Sequence, residues 1–154
     1  MKRKQIISGC LVIVVALASS QWAHAALGGR TDTITVDRKA LQAVHRTTTT
    51  HKGYTVEEVV SDATAVREYV SPSGVVFGIA WNGYVHPDLT QLLGSYWSEY
   101  SASQQKAARI FGRKRQHLAT DNIVVEKWGH MRNLQGRAYV PSLVPAGVSI
   151  DEIK

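Results

Sequence analysis

Cysteine is almost missing: Cys10 is the only one in 154 residues. The chain therefore cannot close an internal disulfide or build a cysteine metal cluster. Proline occurs four times and phenylalanine twice, and glycine, at 12, shows no collagen-like period. Acids are the scarcer charge, 12 Asp plus Glu against 18 Lys plus Arg, for a formal net charge of +6. With 44% hydrophobic and 19% charged residues the composition is that of one globular domain with a packed core, not a disordered polyelectrolyte. A long apolar run is also lacking. The longest, Ile6 to Ala18, falls short of the roughly 20 residues needed to cross a bilayer.

That run has a specific setting. Lys2, Arg3 and Lys4 precede it, and a polar stretch closes on Ala23-His24-Ala25. This is the layout of a secretory signal peptide, with cleavage expected between Ala25 and Ala26 and no transmembrane segment left behind. Ile7-Ser8-Gly9-Cys10 resembles a lipoprotein box, but most of the apolar run follows Cys10, where lipid processing would leave it on the product. Removal of residues 1–25 takes away three cations and no acid, leaving 15 against 12, or +3. The remainder has no thiol, and its small excess of charge outside the cytoplasm gives no reason to expect a nucleic-acid partner. The expected location is exported, periplasmic or secreted.

Residues 26–35 are small and polar and are expected as a flexible terminus; 36–148 form one domain, and 149–154 read as a polar tail. Val36, Ala40, Leu41 and Val44 have helical spacing, with Asp37 at the start, which predicts a short N-terminal helix. Three strands follow: Tyr54 to Val60, Ala65 to Val70 and Val75 to Trp81, with turns at Ser61–Thr64 and Ser71–Gly74. A turn centred on Pro72-Ser73 would set Val70 against Val75, Glu68 against Phe77 and Val66 against Ile79. The first hairpin would set Glu58 against Arg67, an exposed pair. Leu89, Leu92, Leu93, Tyr96, Trp97 and Tyr100 form a helical stripe after Pro87 and Asp88. It is expected to pack on the face carrying Val66, Val70, Val75, Phe77, Ile79 and Trp81. Two more strands, Asn122–Trp128 and Met131–Val140 with a kink at Gly136, complete an α+β fold: a mainly antiparallel sheet of about five strands under one long amphipathic helix.

Glu68 breaks the alternation by pointing at the apolar face. It is a buried acid of raised pKa, or an acid neutralised by an arginine such as Arg132 or Arg137, or a residue at the wet rim. Lys106, Arg109, Arg113, Lys114 and Arg115 put five cations in a stretch without an acid, either a patch for an anionic surface or a solvated segment. His45, His51, His86, His117 and His130 show no metal-ligand spacing, and neither a nucleophile elbow, a phosphate loop nor a dinucleotide fingerprint occurs. No metal or cofactor is expected. Where loops carrying aromatic and imidazole groups end neighbouring strands, Trp81, Tyr84, His86, Trp128 and His130 are the candidate binding residues.

The runs Arg67-Glu68-Tyr69-Val70-Ser71-Pro72-Ser73-Gly74-Val75-Val76-Phe77, Pro87-Asp88-Leu89-Thr90-Gln91-Leu92-Leu93-Gly94, Gly129-His130-Met131 and Gly136-Arg137-Ala138-Tyr139-Val140-Pro141 resemble a family of short exported bacterial proteins known only as a domain of unknown function. The resemblance spans nearly all of the chain after residue 25. It departs at Tyr84, where members often have proline after Trp-x-Gly. It implies export and a single domain and carries no activity. The expected function is a non-catalytic accessory or binding module, acting on a cell-envelope component or anionic surface. The competing expectation is a small periplasmic hydrolase using an acid/base pair such as His130 with Glu68 or with Asp88.

Overall fold

The computed structural model describes residues 26–30, 45–107 and 115–154. The expected signal segment 1–25, the helix expected over 36–44, and Arg109, Arg113 and Lys114 lie outside the described residues. Among the described residues seven antiparallel strands make one sheet: β1 His45–His51, β2 Tyr54–Val60, β3 Thr64–Val70, β4 Val76–Gly83, β5 Arg115–Ala119, β6 Val124–His130 and β7 Asn133–Tyr139. Their order is β1-β2-β3-β4-β7-β6-β5. The five expected strands are all present, and two more flank them. Both additions are edge strands whose sequences carry little apolar alternation, Thr47–Thr50 in β1 and Arg115–Ala119 in β5.

Between β4 and β5 the chain crosses one face as α1 Leu89–Leu93, a 3₁₀ turn at Gly94–Tyr96 and α2 Trp97–Lys106. The Asp88 carboxylate caps α1 by accepting from the Thr90 amide at 2.9 Å. Gly94 breaks the α-geometry at φ 51°, and a Cβ there would fall 2.4 Å from the Ala26 methyl. Leu93 and Tyr100 are fully buried, and Leu89, Leu92, Tyr96 and Trp97 pack beside them, so the expected stripe does meet the sheet. Its partners are Val70, Val76, Ile79, Trp81, Val125 and Ala138. Leu27 joins this core at 1% exposure, held by main-chain bonds between its amide and the Leu92 carbonyl and between the Gly28 amide and the Val76 carbonyl. Residues 26–30 thus contribute to the core, contrary to their polar reading.

The second face is covered as well, which composition did not suggest. Tyr54, Val56, Tyr69, Phe77, Val124 and Tyr139 form a second core closed by Ile153, itself fully buried. The segment expected as a polar tail is a short 3₁₀ turn, Ile150–Glu152, with a Ser149/Glu152 capping box. Its polar residues face outward while one isoleucine enters the core.

Glu58 pairs with Arg67 as expected, the guanidinium Nε lying 2.8 Å from the carboxylate. The next hairpin is shifted. Glu68 lies opposite Ile79 and Val66 opposite Trp81, two residues from the expected register. The cause is local: Ser71 closes a wider turn by bonding Val75, and a bulge leaves Phe77 unpaired between the Val70–Val76 and Tyr69–Gly78 pairs. The extra residue turns the Phe77 ring into the second core, away from the helices. Gly136 causes no kink, since its pairing with Trp81 and Lys127 is continuous. It is small because the Trp81 indole lies on it: a Cβ would sit 2.3 Å from the indole ring.

Candidate site at the loop end of the sheet

One end of the sheet gathers the β2–β3 turn (61–63), the loop after β4 (84–88), the β6–β7 turn (131–132) and the start of β5. Five large apolar residues are exposed among the described residues, and four lie at this end: Val60, Tyr84, Val85 and Met131. Tyr84 is 63% and Met131 82% exposed, beyond what adjoining packed faces require. The β6–β7 turn has only two residues, and Arg132 occupies it at φ 64°. A two-residue hairpin loop calls for φ > 0, and arginine adopts it at a cost that glycine or asparagine would largely avoid.

The expected binding residues divide between this end and the layers behind it. Tyr84, His86 and His130 are exposed here. Trp81 is buried at 2% on the helix side, its Nε1–H donating to His86 Nδ1 at 2.9 Å. That bond needs an unprotonated Nδ1. Desolvation, helped by the Lys127 charge, holds the His86 pKa below its ordinary value. Trp128 is half-buried on the opposite face and donates to Gln135 Oε1 at 2.9 Å. The two indoles are thus separated by the sheet itself, and the five residues do not form one cluster. Trp81 instead fixes the loop that carries Tyr84 and Val85.

Glu68 and His130 do not meet. Glu68 is half-buried on the helix side of β3, while His130 lies three strands away and five residues further toward the loop end, roughly 20 Å by strand geometry. Of the five basic residues, Lys106 ends α2 and Arg115 opens β5 opposite Trp128. Among the described residues no three His, Asp, Glu or Cys side chains come together as metal ligands. No helix among them is long and apolar enough to cross a membrane.

The second face holds ionic groups that the sequence reading missed. Glu126 of β6 lies between His117 Nδ1, at 2.9 Å, and the Arg137 guanidinium. Desolvation raises the Glu126 pKa, but the hydrogen bonds and charges of Arg137 and His117 outweigh it, and the net shift is downward. Arg137 also donates to the Ile150 and Ile153 carbonyls, tying the C-terminal segment to the sheet. Nearby, an open hollow of about 600 Å³ is lined by Thr49, His51, Tyr54, Glu58, Arg67 and Glu152, among others. The His51 ring stacks on Tyr54 at 4.8 Å. Tyr54 donates to Glu152 Oε2 at 2.6 Å; burial and that carboxylate push its phenol up to about 12. Arg67 and Tyr69 both donate to the Lys154 carbonyl at 2.9 Å. Tyr54, Arg67, Tyr69 and Arg137 thus fasten residues 149–154. A signal for them existed only in pairs such as His117 with Glu126, which become visible once β5 is recognised as a strand.

Residues 23–153 match the family model described as Protein of unknown function (DUF2844). The chain belongs to this family. Comparison with curated proteins and with solved structures returns no match. The match covers the seven strands, α1 and α2 of the described residues of this DUF2844 protein, so the loop end and the fastened C-terminal segment both fall within the family's domain.

Proposed function

We propose that this DUF2844 protein is an exported, non-catalytic accessory module that holds a cell-envelope component or anionic surface at the loop end of its sheet. The observation that carries the reading is that Tyr84, Val85 and Met131, on an anchored loop and a two-residue turn, are exposed at one end of the sheet, where His86, His130 and Arg115 are exposed as well. Exposed apolar groups at the same end of the sheet as imidazole and guanidinium groups suit a partner that offers both greasy and anionic contacts. Export rests on the amino-terminal charge, apolar run and Ala23-His24-Ala25. The separation of Glu68 from His130 removes that one pair from the support for a hydrolase.

The test is retention on isolated cell-wall sacculi and on vesicles of anionic phospholipid. Burying a tyrosine or methionine side chain is worth about 1.5–3 kcal/mol, so Tyr84→Ser and Met131→Asp should each weaken retention roughly tenfold or more. High salt should weaken it further if Arg115 and Arg132 contribute. Retention that neither substitution changes would overturn the assignment of the surface.

A further inference from the structure

β1 bonds only to β2 within the sheet, and its outer side presents seven residues of main chain without proline, glycine or bulge. Two residues, Lys52 and Gly53, connect it to β2. In such a hairpin the flanking pair, His51 and Tyr54, exchanges both hydrogen bonds. His45, Thr47, Thr49 and His51 therefore bond inward, and Arg46, Thr48 and Thr50 direct N–H and C=O away from the sheet. Among the described residues no main-chain group outside β2 bonds to β1. Thr47 to Thr50 are all exposed. A long, straight, β-branched edge of this kind is a template for another strand. The opposite edge is different: β5 has five residues and carries Arg115 and the Glu126-paired His117.

We propose that β1 pairs antiparallel with β1 of a second copy of the chain, about a twofold axis at Thr48. His45-Arg46-Thr47-Thr48-Thr49-Thr50-His51 matches itself when reversed. Thr48 faces Thr48, Thr47 faces Thr49, Arg46 faces Thr50 and His45 faces His51. The outward-directed residues coincide under that operation, Thr48 with Thr48 and Arg46 with Thr50 twice, which closes about six main-chain hydrogen bonds. Threonine pairs are favourable cross-strand neighbours. Because β5 offers no matching edge, the pairing closes as an isologous dimer and does not grow into a filament. Strand pairing alone covers less area than a standard interface, which puts the dimer at the weak end.

The test is sedimentation equilibrium of the purified protein over concentrations on the order of 10 to 500 µM, the range a small interface requires. The expected result is a monomer–dimer equilibrium. Thr48→Lys sets two like charges on the axis, and Thr48→Pro removes an amide that bonds nothing in β2; each should hold the protein as monomer with its circular dichroism unchanged. Gln116→Lys on β5 should leave the equilibrium as it was. With Cys10→Ser in the background, Thr48→Cys should cross-link to a covalent dimer under mild oxidation, since twofold-related residues of a bonded pair lie about 5.5 Å apart. A single-protomer mass throughout the range overturns the proposal. So does a dimer that survives Thr48→Lys and Thr48→Pro, or one that Thr48→Cys does not cross-link.

Discussion

Replacement of Ile153 by alanine measures how much of the fold depends on its last few residues. Ile153 is fully buried in the second core, with its side-chain atoms packed over Gly78 so closely that a Cβ there would be 2.9 Å from Cδ1. Ile153→Ala removes three carbons, worth about 0.8 kcal/mol each in transfer. The cavity adds to this, because the sheet beneath is held by its own hydrogen bonds and cannot collapse into the gap; the total is about 3–4 kcal/mol. At roughly 4 °C per kcal/mol for a domain of this size, thermal unfolding should fall by about 12–16 °C. Differential scanning calorimetry reads this directly. Ile150→Ala, three residues earlier on a side chain 37% exposed, should cost less than about 1 kcal/mol and serves as the control. A shift under about 2 °C for Ile153→Ala would refute the claim that residues 149–154 are part of the core.

Four further outcomes follow from single contacts. Gly136→Ala should destabilise by about 1–3 kcal/mol or more, because the new methyl meets the Trp81 indole at 2.3 Å; denaturant unfolding checks it. Glu126 has a lowered folded pKa, so its contribution is complete above the unfolded carboxylate value near 4.3 and is lost as pH falls through the folded value. Stability profiles of Glu126→Gln should therefore show a flatter acid limb than wild type. His86 also has a lowered pKa, and for a base this means stability present above the unfolded value near 6.5 and lost as pH falls below it. Protonation takes away the acceptor of the Trp81 N–H, so tryptophan fluorescence should change below that pH in wild type and stay flat in His86→Ala. In an ultraviolet titration one tyrosine should ionise only near pH 12, and it should disappear in Tyr54→Phe.

The central strands and the helical stripe were legible because their signals are local. Alternation in 54–60, the Ser71-Pro72-Ser73-Gly74 turn and the leucine and aromatic spacing from Leu89 to Tyr100 each depend on near neighbours. The edge strands were not, since a strand paired on one side and exposed on its faces needs no apolar alternation, as Thr47–Thr50 shows. The Phe77 bulge was hidden because alternation assumes an unbroken register. The role of Ile153 depends on a contact with Gly78, 75 positions earlier, and a lone isoleucine among polar residues gives no periodic signal. At the candidate site, Tyr84, His86 and His130 could be placed from turn residues alone. Which sheet face Trp81 and Trp128 occupy required the register.

Export is the premise of the proposed function, and intact-mass spectrometry of the protein from a periplasmic or extracellular fraction of its native host tests it most directly. The expected mass is that of a chain beginning at Ala26. A mass that retains Met1, or one that carries lipid on Cys10, would contradict it.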